Sequence, residues 1–225
     1  MQKRGLSVEV INYFVKDLKI LYEEGQHHNL VFCGKDKQGE IRYANLRGTY
    51  DSNGKKFKGD VFGSNKDYNV NIINLDNSIL KVFEASIDLM SFLDLTGDYQ
   101  SNKLVLGTNT DKSLNHFLKE NPHIKKIGFY LDNDKPAKEK LFGKAAVVDE
   151  STGKILKQRK EGLLEKYTNL GYEVKPVLVP ENTGCKDYNE FLLFMKENIP
   201  NRIWINVSRD SQMRDTDGKK KARSR

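Results

Sequence analysis

The sequence predicts an α/β fold: a mostly parallel sheet flanked by helices, preceded by a smaller α+β basic segment. Three observations carry this. From Ile79 onward, short apolar runs alternate with segments of helical periodicity. Strands separated by helices need right-handed crossovers, which yield parallel pairing. Before Ile79 the pattern differs, with one amphipathic segment, closely spaced strand-like runs and a Gly- and Lys-rich stretch. With 225 residues, 37% hydrophobic and 31% charged, the chain can fill one or two cores beneath a heavily charged surface.

Taken in order, residues 7–23 place Val10, Ile11, Phe14, Leu18 and Leu21 on one helical face, with Ser7 as N-cap. NLVFCG and IRYANLRG flank a turn at Gly39 and predict a hairpin. Residues 48–71 carry Lys55, Lys56, Lys58 and Lys66 and read as a basic loop or further short strands. ILKVFE is then a strand ending in a carboxylate, followed by a helix through Ile87, Met90, Ser91 and Leu95. KLVLG is a second strand, and SLNHFLKEN a helix that turns Leu114, Phe117 and Leu118 inward. KKIGFYLD is a third strand, YEVKPVLVP a fourth, and YNEFLLFMKEN a closing helix. RIWIN (202–206) predicts an added edge strand. Between Asp134 and Glu173 the chain is longer than one crossover helix requires. KAAVVDESTGKIL reads as an inserted hairpin and KQRKEGLLEKYTNLG as the crossover helix. The expected organisation is 1–75 as an N-terminal segment, 76–208 as the α/β domain and 209–225 as a disordered basic tail.

Composition narrows the chemistry. Cys33 and Cys185 are far apart and lack Cys-x-x-Cys partners, and His27, His28, His116 and His123 lack metal-ligand spacing. Any metal is therefore expected to be a hard one held by carboxylates. No apolar run approaches a membrane span, and the N-terminus has no signal-peptide core, so a cytoplasmic protein without membrane contact is expected. Net charge is +7, of which residues 209–225 supply seven Lys or Arg against three Asp. Such a tail suits nucleic-acid phosphates, but a solvated terminus reads the same way.

The chemistry gathers at strand ends. In an open α/β sheet, ligands bind beyond the carboxyl ends of the strands. Glu84 ends the first strand, Asp88 lies one helical turn later, Asp132 ends the third with Asp134 two further on, and Asp187 follows the fourth. Any one of them alone reads as a helix cap or first-turn carboxylate. Together they predict a rim of like charge that a cation would neutralise, and Mg²⁺ (or Mn²⁺) suits such a rim. The stretch from Gly48 to Lys55 lacks Walker spacing, and no Gly-x-Ser-x-Gly occurs.

These motifs resemble those of a known domain. VFEASIDLMSFL (82–93), LVLGTN (104–109), FYLDND (129–134) and GCKDYNEFL (184–192) are similar to successive motifs of the Toprim domain of topoisomerases and primases. The upstream FCGKDKQGEIRYANLRGTY and FKGDVFGSNKDYNVNI resemble the segment that precedes Toprim in an uncharacterised primase-like family of bacterial plasmids and conjugative elements. One departure is Ala137, preceded by Pro136, where the family usually has Gly. The resemblance implies Glu84, Asp132 and Asp134 as catalytic groups, with Glu84, Asp88, Asp132, Asp134 and Asp187 as Mg²⁺ ligands. It further implies Arg47, Lys58 and Lys66 as phosphate contacts; each lysine alone also reads as part of a solvated face. The implied partners are DNA or RNA, with other replication or conjugation proteins. The implied activity is primase-like phosphoryl transfer, with a Toprim nuclease or a non-catalytic binding module as alternatives. A topoisomerase is disfavoured, because its nucleophilic tyrosine lies in a large separate domain. The chain holds no cysteine-rich zinc segment, so template capture is expected to need another chain.

Overall fold

The structure, a computed structural model, describes residues 1–17, 19–22, 28–52, 55–107 and 110–199, apart from the side chains of 2, 50–52 and 55–56. Helix α1 (Val8–Lys16) begins at Ser7, whose hydroxyl accepts the Val10 N–H at 3.3 Å. It ends earlier than the periodicity of 7–23 predicts. Lys19 N–H returns to the Phe14 carbonyl, and Ile20–Tyr22 leaves as strand β1. The reason is tertiary: β1 pairs antiparallel with β2 (Leu30–Lys35), which turns Ile20 into the core while Leu21 stays exposed. Leu18 lies outside the described residues.

The hairpin about Gly39 joins β2 to β3 (Ile41–Ser52), and Asp36 organises its turn by accepting the Gln38 and Glu40 N–H groups, each at 3.0 Å. The basic stretch that follows is partly strand: β4 (Lys55–Asp60) completes an antiparallel sheet of order β1-β2-β3-β4. A two-residue strand β5 (Asn71–Ile72) then leaves this unit and joins the second sheet.

That second sheet contains β6 (Ile79–Phe83), β7 (Asn102–Val105), β8 (Lys126–Tyr130) and, after an insertion, β11 (Glu173–Pro176). Its order is β11-β8-β6-β7-β5, parallel throughout except for the antiparallel edge β5. Helix α2 (Ser86–Thr96) follows β6 and α3 (Lys112–Glu120) follows β7. After β8 come α4 (Lys135–Phe142), the inserted hairpin β9 (Val147–Val148) and β10 (Ile155–Lys157), and α5 (Leu163–Asn169). The hairpin lies where KAAVVDESTGKIL predicts it. Helix α4 is an addition to that expectation, and α5 is only the second half of the predicted crossover helix. Helix α6 (Tyr188–Asn198) ends the described chain; RIWIN and the basic tail lie outside the described residues.

The sheet divides the interior in two. One face packs Leu114, Phe117 and Leu118 of α3 and Leu141, Leu163 and Tyr167 of α4–α5 against Leu80, Val82, Ile127 and Phe129. The other packs α2 and α6 around Phe83, Phe92, Tyr130 and Tyr188, whose rings stand 5.0–6.1 Å apart. Val10, Phe14, Ile20 and Phe32 enter this same core. The antiparallel sheet is thereby fixed against the parallel one, and a cleft is left between them.

Candidate nucleic-acid phosphate site

The cleft is a cavity of about 430 Å³ over the carboxyl ends of β6, β7 and β8. Backbone hydrogen bonds set its floor. Gly107 N–H donates to the Glu84 carbonyl at 3.0 Å, tying the end of β7 to the end of β6. Asn133 N–H donates to the Lys186 carbonyl at 2.7 Å, so the residue after Asp132 is bonded to the residue before Asp187. Gly107 is at φ +66°, and a Cβ there would lie 2.3 Å from Nδ2 of Asn69, so this turn admits only glycine without displacement.

Of the five predicted carboxylates, Glu84, Asp88, Asp132 and Asp187 line the cavity. Asp88, in the first turn of α2, is 6% exposed and accepts the Asn189 N–H at 3.3 Å. Burial, then the like charges of Asp187, Asp132 and Glu84, hold its pKa well above the carboxylate range. Burial, then Glu84 and Asp187, push Asp132 up to about 7. Glu84 Oε2 is buried with no hydrogen-bond partner. Asp187 caps α6, accepting the Glu190 N–H at 2.8 Å. Asp134 is placed differently: it is exposed, caps α4 through the Ala137 N–H at 2.9 Å, and stands outside the lining, although its charge reaches Asp132. Ala137 is buried inside the first turn of α4, a helical position that does not require the family's glycine.

The opposite wall is cationic. Arg47 and Lys58 are cross-strand neighbours on β3 and β4 and both line the cavity. Burial lowers the Arg47 pKa, and the charge of Asp88 opposes that shift. Lys66 lies away from the cavity and pairs with Asp60 at 3.1 Å. Sequence reasoning missed Lys3 and Arg4, which the short N-terminal turn brings to the same wall. Asn189 holds Arg4 there, accepting its guanidinium at 3.0 Å and donating to its carbonyl at 2.8 Å. It also missed Lys140 on α4, within electrostatic reach of Glu84 and Asp132. A lysine one and a half turns into a helix gives no signal of facing back toward the rim.

The Mg²⁺ that the Toprim resemblance implies suits this donor set in kind: hard oxygens, one carboxylate oxygen with no partner, and two carboxyls raised first by burial and then by their neighbours' charge. Among the described residues, no group of three or more His, Cys, Asp or Glu is already gathered to hold a metal ion.

The mixed α/β architecture, a mostly parallel sheet with flanking helices, matches the Toprim-like fold of solved DNA primase structures. Solved structures carry the comparison. The primase fragment of the bacteriophage T7 primase-helicase protein matches with a TM-score of 0.55 at 19% identity, covering 86% of this chain and 68% of that one. A second match is the T7 lagging-strand DNA polymerase structure, in which the polymerase interacts with primase domains of two gp4 subunits bound to an RNA/DNA hybrid and dTTP. Its TM-score is 0.57 at 17% identity, covering 86% and 83%. A DNA primase domain from Pseudomonas aeruginosa matches with a TM-score of 0.50 at 14% identity, covering 86% and 65%. Residues 1–74 match a family described as a protein of unknown function, DUF3991. No curated protein sequence matches the chain. Among the described residues, no helix is long and apolar enough to cross a membrane.

Proposed function

We propose that the chain carries out primase-like phosphoryl transfer on nucleic acid, dependent on Mg²⁺ or Mn²⁺. The observation that carries this reading is the convergence of Glu84, Asp88, Asp132 and Asp187 on one cavity whose facing wall presents Lys3, Arg4, Arg47 and Lys58. An anionic floor and a cationic wall suit a phosphate held from two sides. Arg4, Arg47 and Lys58 would orient phosphate oxygens. In the metal-free site Asp132 takes up a proton near neutral pH, and a bound cation would keep it ionised. Glu84, with one buried oxygen uncommitted, is the candidate acid/base. Glu84, Asp132 and Asp187 would hold a divalent cation, with Asp88 behind them; when bound, it neutralises charge developing on the phosphate. The resemblance of the upstream segment supports a setting in replication or transfer of a mobile element, in the cytoplasm, beside other replication or conjugation proteins.

A second reading is a nucleic-acid-binding module without turnover. It is favoured by the use of Asp134 and Asp187 as helix caps and by the absence of a ready-made metal cluster among the described residues. The experiment is incorporation of labelled nucleotides on a single-stranded template, with strand cleavage scored in parallel, in Mg²⁺ and in Mn²⁺. Synthesis that Glu84→Gln reduces by 10²-fold or more supports the primase-like reading. Cleavage alone makes the protein a nuclease, and neither activity with intact binding leaves the module.

A further inference from the structure

The insertion between α4 and α5 has no role in forming either core. Its strands pair antiparallel, with Val148 opposite Ile155 and Val147 opposite Lys157. Asp149 shapes the turn. Its backbone exchanges hydrogen bonds with Lys154 and Gly153 at 2.9 and 2.8 Å, and its carboxylate accepts the Ser151 and Thr152 N–H groups at 2.9 and 3.0 Å. A two-stranded hairpin is marginal in water unless its apolar side chains find a partner. Here they are exposed: Val147 at 40%, Val148 at 47%, Ile155 at 51% and Leu156 at 58%. Adjacent residues of a strand point to opposite faces, so both faces of the hairpin are apolar.

The cations sit around them. Residues 144–160 hold five Lys or Arg against two acidic residues. Lys144 and Arg159 pair with Glu139 and Glu165. Lys154, Lys157 and Lys160 are exposed and take part in none of the salt bridges among the described residues. The hairpin's base is fixed. The backbones of Lys144 and Lys160 bond in both directions at 2.8 Å, and a Cβ on Gly162 would lie 2.4 Å from the Gly143 nitrogen. This base stands one eight-residue helix, α4, beyond Asp134, or about 12 Å along that helix.

We propose that the β9–β10 hairpin is a nucleic-acid contact that grips the strand passing the carboxylate rim, with Lys154, Lys157 and Lys160 on its phosphates and Ile155 and Leu156 against sugars and bases. Cations interleaved with apolar side chains match a polyanion with apolar base faces. A base one short helix from Asp134 favours that ligand over an acidic protein. The inference rests on the reading of the rim as a nucleic-acid site.

The test uses the full chain and a short fluorescent DNA strand, alone and as duplex, with affinity measured across a series of KCl concentrations. The combined Lys154→Gln, Lys157→Gln, Lys160→Gln variant should weaken duplex binding roughly tenfold and reduce the slope of log K against log salt by about two to three. The Ile155→Ser, Leu156→Ser variant should weaken binding at unchanged slope. All five side chains are exposed, so melting temperatures should match the parent. Parent binding that both variants reproduce in affinity and slope would overturn the hairpin assignment and leave the rim reading standing. Failure of the parent to bind any strand would overturn both. Self-association lost in the Ile155→Ser, Leu156→Ser variant, with DNA binding intact, would assign the surface to a protein partner and also overturn it.

Discussion

Two carboxylates with opposite surroundings show how individual residues set this molecule's response to pH. Asp132 ionises near pH 4 in an unfolded chain and at about 7 in the folded one, where burial and the charges of Glu84 and Asp187 oppose its ionisation. The folded state therefore retains the proton between those values, and stability should decline as pH rises through that window. Urea unfolding without divalent ions should show this decline, and Asp132→Asn should reduce it by on the order of 1 kcal/mol, allowing for solvent screening. Asp98 is the converse case. Burial alone would raise its pKa, but Lys103, Lys81 and Ser101 together hold it well below the carboxylate range. Lys81 Nζ and Ser101 Oγ both lie 2.6 Å from its Oδ2, while Lys103, fully buried, is lowered by burial to about 8. Removing the anion leaves the buried Lys103 and the partly buried Lys81 without it, so Asp98→Ala should cost about 3 kcal/mol in denaturant unfolding. Lys103→Met should cost little or nothing, because the desolvation of that charge offsets most of its pairing.

The strand–helix elements of the parallel sheet are those with the plainest sequence signal, and the reason is periodicity. β6, α2, β7, α3, β8 and α6 each bury a set of apolar residues, so their patterns and their order could be read directly; β11 buries none and is legible from its alternation and its place after a crossover. Elements held by tertiary context could not. β1 has helical spacing upstream of it and becomes a strand only because β2 offers an edge. β5 is two residues long, and α4 has only Ala137 and Leu141 buried. The site divides on the same principle. Acidic residues at strand ends announce themselves, whereas Lys3 and Arg4 reach the cavity by chain path rather than by motif. One close approach links the two sheets: Asn69 donates to the Leu106 carbonyl at 3.1 Å and occupies the space a Cβ on Gly107 would need. Gly107→Ala should therefore cost about 1–3 kcal/mol and lower activity by displacing the Glu84 carbonyl that Gly107 holds. Thermal melting together with template-dependent incorporation checks both effects.

At the scale of the whole molecule, the antiparallel unit with its basic wall and the parallel unit with its acidic rim share a core, and that shared packing fixes the cavity between them. Opposed charge across a cleft of about 430 Å³ is the feature on which the proposed phosphate site rests. The proposed activity requires the floor to bind a divalent ion as a unit. A ligand that binds only the folded state raises its stability by mass action, so melting should be measured for the parent and for Asp132→Asn, each with and without Mg²⁺. A clear Mg²⁺-dependent rise is expected in the parent and a much smaller one in the variant, whose melting temperature without Mg²⁺ should equal or exceed that of the parent. Equal Mg²⁺-induced shifts in the two proteins would rule out a metal site at Asp132.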